Sequence, residues 1–244
     1  MTTQSWPPGA VLANRYQILR PLGRGGMGTL YLARDLRFER RNVALKENGA
    51  RSPAAQTQFR LEAEVLATLQ HPHLPAVTDY FSTPDGRQFL VMDYVEGENL
   101  EERVAREGSV PEALALAWAG QILDALAYLH AQSPPVIHRD VKPQNVIIRP
   151  DGGALPLIGE SGRGAVLVDF GVAKYMAPGQ PTATVARAGS PGYAPIEQYA
   201  GGTDQRSDIY SLGATLYFVL IGSAPPESPL LMSGQTLPHP PQLN

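Results

Sequence analysis

Cysteine is absent from the 244 residues. That excludes a disulfide framework and any thiolate metal site, and it suits a reducing compartment. Excess positive charge is absent too. Twenty Lys and Arg stand against 23 Asp and Glu, a formal net charge of −3, where a nucleic-acid binder is usually basic. The first 13 residues have neither a positively charged start nor an apolar stretch, so they do not read as a signal peptide. The most apolar run, Ile209 to Gly222, falls short of the ~20 residues a membrane span needs. It reads as a fully buried core helix. The expectation is a soluble, cytoplasmic chain with no nucleic-acid partner and no membrane segment of its own.

What is present is ordinary globular composition, 43% hydrophobic and 18% charged, in a chain long enough for a sizeable core. Residues 1–15 form a Pro- and Gly-bearing lead-in. From Tyr16 to about Val95 the pattern is strand-rich. Tyr16–Leu22, Leu30–Ala33, Asn42–Lys46 and Phe89–Tyr94 read as short strands. One helix interrupts them. Ser52-Pro53 gives it an N-cap followed by proline at the first helical position, and Phe59, Ala63, Leu66 and Leu69 repeat along one face. After Gly97 the character changes. Pro111 to His130 is a long Ala- and Leu-rich helix with Leu114, Trp118, Ile122, Ala125 and Leu129 on one side. Short apolar runs follow at Val136–Ile148 and Ala165–Val168, then the apolar helix from Asp208 to Gly222. Residues 223–244 are a Pro-rich tail without periodicity. This predicts an α+β chain, with a small β-rich lobe at 16–95 and a larger, mainly helical lobe at 96–222.

Gly23-Arg24-Gly25-Gly26-Met27-Gly28 fits G-x-G-x-x-G. Alone it is a weak signal, expected by chance about 0.2 times in a chain this rich in glycine. Its setting says more. It lies between two strands rather than between a strand and a helix, which disfavours a dinucleotide fold. Val43-Ala44-Leu45-Lys46 follows at short range. A glycine hairpin lets backbone amides approach phosphates closely, and a strand-borne lysine brings a point charge to them. Glu62 falls on the apolar side of the first helix. A buried carboxylate there needs a partner, for which Lys46 is the natural choice, and the alternative is a wet position at the edge of a wide face.

His138-Arg139-Asp140-Val141-Lys142-Pro143-Gln144-Asn145 is far more specific. Its six fixed positions have a chance on the order of 10⁻⁶ in a chain of this length. Asp169-Phe170-Gly171 follows the apolar Val166-Leu167-Val168. In order and spacing this set, with Gly23, Gly25, Gly28, Lys46 and Glu62, resembles the protein kinases. The resemblance runs from about Tyr16 to Gly222. Gly25-Gly26-Met27-Gly28 and Lys142-Pro143-Gln144-Asn145 look most like the bacterial members of the eukaryote-like Ser/Thr kinases.

The resemblance implies a two-lobed fold with a cleft for Mg·ATP, and transfer of the γ-phosphate to protein Ser or Thr hydroxyls, autophosphorylation included. Asp140 would accept the proton of the substrate hydroxyl and Lys142 would meet the transferring phosphate. Asn145 and Asp169 would hold Mg²⁺. Lys46, paired with Glu62, would grip the α- and β-phosphates under the glycine loop at Gly23, Gly25, Gly26 and Gly28. Leu22, Leu30, Ala44 and Ile147 would sandwich the adenine, with Met92 behind it and Asp93 to Val95 at its edge. Leu66, His138 and Phe170 resemble part of a packed column linking the lobes. Asp169 to Glu197 resembles an activation segment, with Thr182 and Thr184 as phosphorylation sites or as plain loop threonines, and Arg139 as an anchor for a phosphate there. Gly189 to Tyr193 resembles a platform for the protein substrate. Asp208 resembles an aspartate that holds the catalytic-loop backbone, or it is a simple N-cap. Dimer formation for trans-autophosphorylation is an open option.

The chain departs from the family in three places. Pro195-Ile196-Glu197 stands where Ala-Pro-Glu is usual. The family continues through further helices beyond Gly222, so the chain reads as a fragment whose parent could be membrane-anchored downstream. Glu197 then lacks its expected arginine and is expected as a buried, unpaired carboxylate. The stretch 146–168 looks long for the family, with Asp151-Gly152-Gly153 and Gly159 to Gly164 as a hairpin loop without a catalytic role. The alternative to an active kinase is a nucleotide-binding but inactive scaffold.

Overall fold

The computed structural model describes residues 5–25, 28–38, 41–50, 52–150, 164–169, 174–175 and 190–238, the pair 174–175 by its backbone alone. Two compact units emerge, one of residues 1–70 and 75–94 and the other of 71–74 and 95–244.

The first unit is an antiparallel six-stranded sheet in the order β1-β2-β3-β4-β6-β5. Its strands are β1 Val11–Leu12, β2 Tyr16–Gly25, β3 Gly28–Asp35, β4 Asn42–Glu47, β5 Val77–Ser82 and β6 Gln88–Asp93. Register sorts the side chains, because paired residues share a side and neighbours along a strand do not. Tyr31, Ala33, Val43, Leu45, Phe89 and Val91 join Leu12, Tyr16 and Ile18 in a buried core on one side. The pairs Leu30↔Lys46, Leu32↔Ala44, Lys46↔Leu90 and Ala44↔Met92 put the lysine on the other. Strands carrying apolar residues on both faces are expected when both faces are covered.

Arg15 forks onto Asp35 at 2.7 and 2.9 Å and reaches Asp79 at 2.9 Å, tying the start of β2 to the end of β3 and to β5. Helix α1 Pro53–Leu66 starts at Ser52, whose side chain accepts from the Ala55 amide. Its Phe59 packs against Tyr80 of β5, ring centroids 6.0 Å apart.

The second unit is built on α3 Glu112–His130, which buries Trp118, Ile122, Leu126 and Leu129. Ahead of it lie β7 Glu98–Asn99 and α2 Leu100–Glu107. Short strands β8 Val136–Ile137, β9 Val146–Ile148, β10 Ala165–Leu167 and β11 Lys174–Tyr175 follow, then α4 Ile196–Tyr199, α5 Gln205–Ile221 and α6 Ser228–Met232. Strands β10, β9 and β7 form one antiparallel ribbon, and β11 pairs with β8.

Three helices differ from the sequence reading. Helix α2 shows no long periodicity because its two buried residues, Leu100 and Val104, are all that eight residues can offer. Its signal is the capping box of Asn99 and Glu102 and the stop at Gly108. Helix α5 begins earlier than Asp208. Asp204 is its N-cap, in a capping box with Ser207, and Asp208 sits inside the first turn. Nor is α5 fully buried. It is apolar nearly all round, but Ile209 is 46% exposed and Tyr210 36%. Helix α6 lies in the stretch read as a tail without periodicity.

Candidate active site

In the first unit the glycine sequence forms the β2–β3 hairpin, where Gly25 pairs with Gly28 across a connection of two residues. Gly26 lies outside the described residues. A Cβ placed on Gly23 or Gly25 would meet nothing within 4 Å, so no packing inside this unit requires glycine there. Their backbone faces open space that a ligand's phosphates could enter. Gly28 is different. Its φ is +135°, and a Cβ would collide with the carbonyl oxygen of Glu47. Here glycine lets the hairpin close onto the end of β4.

Lys46, on β4, is 9% exposed. It lies on one side of the sheet with Leu30, Ala44 and Met92, the side opposite the core cluster. Leu22 and Leu30 are half-buried, Ala44 and Met92 buried. Asp93, at the end of β6, pairs with Arg41 at 2.9 Å. Glu62 is half-buried on α1 and accepts a hydrogen bond from Gln58 at 3.0 Å. Leu66 is buried.

In the second unit the loop from His138 to Asn145 is pinned from beneath. Asp208 is fully buried and accepts from the backbone amides of His138 at 2.9 Å and Arg139 at 2.7 Å. It also pairs with the ring of His130 at 2.8 Å. The burial and these partners identify Asp208 as the loop's anchor rather than a helix cap. Arg139 has φ +68°, a left-handed conformation that costs about 1–3 kcal/mol and needs such support. Gln198 adds a hydrogen bond to the Arg139 carbonyl at 3.1 Å.

Above this anchor four side chains meet. Lys142 Nζ lies 2.7 Å from Asp140 Oδ2. Asn145 Nδ2 donates to the same carboxylate at 2.9 Å and to the Asp140 carbonyl at 2.8 Å, leaving its Oδ1 for another partner. Ser190 Oγ donates to Asp140 Oδ1 at 2.9 Å and accepts from Lys142 Nζ at 2.9 Å. Asp169 follows β10, whose next residue Val168 donates its amide to the Asn145 carbonyl at 2.8 Å, which brings Asn145 and Asp169 to one end of the β9–β10 ribbon. Asp169 also has a positive φ, +64°. Ile147 is half-buried on β9, and Val95 is buried just before β7. Gln144, without a role in the sequence reading, donates to Glu101 of α2 and so braces the loop from the side.

The sequence reading placed Ser190 only within the stretch from Gly189 to Tyr193 that resembles a substrate platform and gave it no role of its own; its hydrogen bonds to Asp140 and Lys142 are what the structure adds. Glu197 corrects an expectation. It is half-buried rather than buried, and it accepts from Ser207 Oγ at 2.8 Å. It lines an open pocket of about 630 Å³ with Pro195, Thr203, Asp204, Arg206 and Tyr210. Phe170, Gly171, Thr182, Thr184, Gly189 and residues 151–163 lie outside the described residues.

A glycine hairpin over a strand-borne lysine, and a loop that clusters an aspartate, a lysine and an asparagine, define the phosphotransferase class of site. The chain belongs to the protein kinase domain family, whose model matches residues 16–231. It is 39% identical over 224 residues to the serine/threonine-protein kinase PknB of Mycobacterium tuberculosis, covering 88% of this chain and 33% of that protein. It is 36% identical over 234 residues to the serine/threonine-protein kinase pkn2 of Myxococcus xanthus, covering 92% and 26%. Among solved structures it is similar to the PknI kinase domain of Mycobacterium tuberculosis, with TM-score 0.67 and 28% identity over 96% of this chain and 83% of that one. The chain thus spans between a quarter and a third of the length of the curated relatives it matches. The fold is the two-lobed α+β protein-kinase fold. Among the described residues no helix is long and apolar enough to cross a membrane.

Proposed function

We propose that this domain transfers the γ-phosphate of ATP to Ser and Thr hydroxyls of proteins, its own chain included. The observation that carries this reading is the Asp140, Lys142 and Asn145 cluster held on the Asp208 anchor. Phosphoryl transfer passes through a loose transition state, so positioning and neutralisation of charge do most of the work. Asp140 takes the proton of the acceptor hydroxyl as its oxygen bonds to phosphorus and ADP leaves. Lys142, already against Asp140, meets the equatorial oxygens of the moving phosphoryl group. Lys46 holds the α- and β-phosphates, with Glu62 as its partner, and the amides of the glycine hairpin cover them.

Asn145 and Asp169 are the residues that would hold Mg²⁺. Among the described residues no cluster of three or more His, Cys, Asp or Glu stands ready to hold a metal alone. Two oxygen ligands completed by nucleotide phosphates and water suit Mg²⁺ better than a cage of protein ligands. Held there, the ion would supply charge neutralisation at the phosphates. Leu22, Leu30, Ala44, Met92, Asp93, Val95 and Ile147 form the adenine site on this reading. Residues 16–95 and 96–222 are the two lobes on this reading, the domain works in the cytoplasm whether or not its parent is membrane-anchored, and a dimer is the option for trans-autophosphorylation.

The test is phosphate incorporation from labelled ATP with Mg²⁺, with and without a basic protein substrate, beside Asp140→Asn. Label that appears with the native chain and disappears with the variant is the expected result. Nucleotide binding without any incorporation would overturn the reading in favour of an inactive scaffold.

A further inference from the structure

The mechanism uses Lys46 but not its neighbour Glu47, which is 4% exposed at the end of β4. A buried carboxylate costs several kcal/mol unless it is paired and hydrogen-bonded. The pleat turns Glu47 away from Lys46, to the side of Tyr31, Leu45 and Phe89, so it cannot serve the phosphates directly. Instead it sits in a cage. Tyr31, fully buried, donates its hydroxyl to Glu47 Oε2 at 3.1 Å. Arg87 Nη1 approaches Oε1 at 3.5 Å. The segment ahead of β1 closes the cage. The Trp6 amide donates to the Tyr31 hydroxyl at 3.3 Å, and the Arg87 guanidinium lies 4.3 Å from the centre of the Trp6 ring. Trp6 and Ala10 pack on the core cluster beneath.

The backbone of Glu47 links this cage to the phosphate side. Its amide belongs to the residue that follows Lys46, and its carbonyl is the atom against which Gly28 closes. Asn48 then fastens the strand end to Gln88, amide to carbonyl at 2.9 Å and side chain to side chain at 2.9 Å. One short piece of chain therefore sets where Lys46 leaves the sheet and where the glycine hairpin closes. We infer that Glu47 is a positioning residue for the ATP phosphates, and that the amino-terminal segment, through Trp6, is the latch that holds it. This rests on the reading of Lys46 and the glycine hairpin as the phosphate grip. The segment ahead of the sheet thereby gains a hold on nucleotide affinity without touching nucleotide.

The test measures Mg²⁺-dependent binding of a fluorescent ADP analogue to the full chain, with KM for ATP and kcat beside it, at a temperature well below the melting point of every variant. The variants are Glu47→Ala, Glu47→Gln, Trp6→Ala, Lys46→Ala and Arg103→Ala. Arg103 makes a similar cation–π contact with Trp118, at 5.2 Å, in the second unit and serves as a matched control.

Glu47→Ala is expected to weaken analogue binding and raise KM about tenfold, and Trp6→Ala about fivefold, the size of one lost cation–π or charge-assisted contact. Glu47→Gln, which still accepts from Tyr31, should recover most of the loss. Arg103→Ala should change nothing, and kcat should hold in the Glu47, Trp6 and Arg103 variants, none of which removes a side chain placed against the nucleotide or the acceptor. Should Glu47→Ala not fold, Trp6→Ala and Glu47→Gln decide. Native affinity in Trp6→Ala and both Glu47 variants, with binding lost in Lys46→Ala, would overturn the latch and leave the phosphate grip standing. A fall in kcat alone would also overturn it. Native affinity in Lys46→Ala, or no binding by the native chain, would remove the phosphate grip and the latch with it.

Discussion

Asp208→Ala is the perturbation whose cost can be worked most directly. The carboxylate is fully buried and takes two backbone amides, those of His138 and Arg139, plus the ring of His130. Removing it leaves two buried amides without an acceptor, each worth about 1–3 kcal/mol. A loss of about 4 kcal/mol is expected. For a chain of this size each kcal/mol lowers the melting point by about 2–4 °C, so the shift should be about 10 °C. Asp208→Asn keeps one oxygen for one of the two amides and should cost about half as much. His130→Ala leaves both backbone bonds intact and should cost about 1 kcal/mol.

The chain has two tryptophans, one in each unit. In a Trp6→Phe background Trp118 therefore reports on the second unit by itself, and urea unfolding followed by its fluorescence gives the three values. Turnover should fall with stability in the Asp208 variants, because Asp140 stands on the loop that loses its anchor. An Asp208→Ala protein within about 1 kcal/mol of native, or a His130→Ala protein as damaged as Asp208→Ala, would refute the anchor argument.

Ser190→Ala should lower kcat about tenfold with KM for ATP unchanged, since it deletes a hydroxyl bonded to both Asp140 and Lys142 but no nucleotide contact. Steady-state kinetics at saturating and limiting ATP separates the two effects. Gly28→Ala should cost about 2–4 kcal/mol and weaken nucleotide binding, because its Cβ would strike the Glu47 carbonyl at a φ of +135°. A melting curve with and without Mg·ADP reads both. The Arg15 guanidinium, hydrogen-bonded to Asp35, holds that carboxyl below its ordinary 3.8. A depressed acid stabilises the fold above the unfolded value and loses that contribution as pH falls through the folded one. Asp35→Asn should therefore be less stable than native at pH 7, and the gap should narrow below about pH 4. A gap that stays constant down to pH 2 in acid titration of stability would refute the pairing.

The parts of this protein that were legible in its sequence are those carried by chain-local chemistry. Helix α1 is announced by Ser52-Pro53 and its apolar spacing, and α3 by nineteen residues with one continuous apolar face. The loop from His138 to Asn145 is recognisable because its six fixed residues stand at short, fixed spacing in one stretch of chain, a pattern that chance produces on the order of 10⁻⁶ in this length. Tertiary structure decided the rest. Helix α2 buries only Leu100 and Val104, too few for a period to show, and it forms because its cap and its neighbours support it. Asp208 reads as a helix start along the chain, yet contacts across some 70 positions of sequence make it the anchor of the loop from His138 to Asn145. Ser190 joins Asp140 across 50 positions. Glu47 is the sharpest case. Sequence alternation can say that it faces away from Lys46, but only the packing of Tyr31, Arg87 and Trp6 around it decides that this side is buried, because burial is a property of what the rest of the chain brings to a surface and not of the strand that presents it.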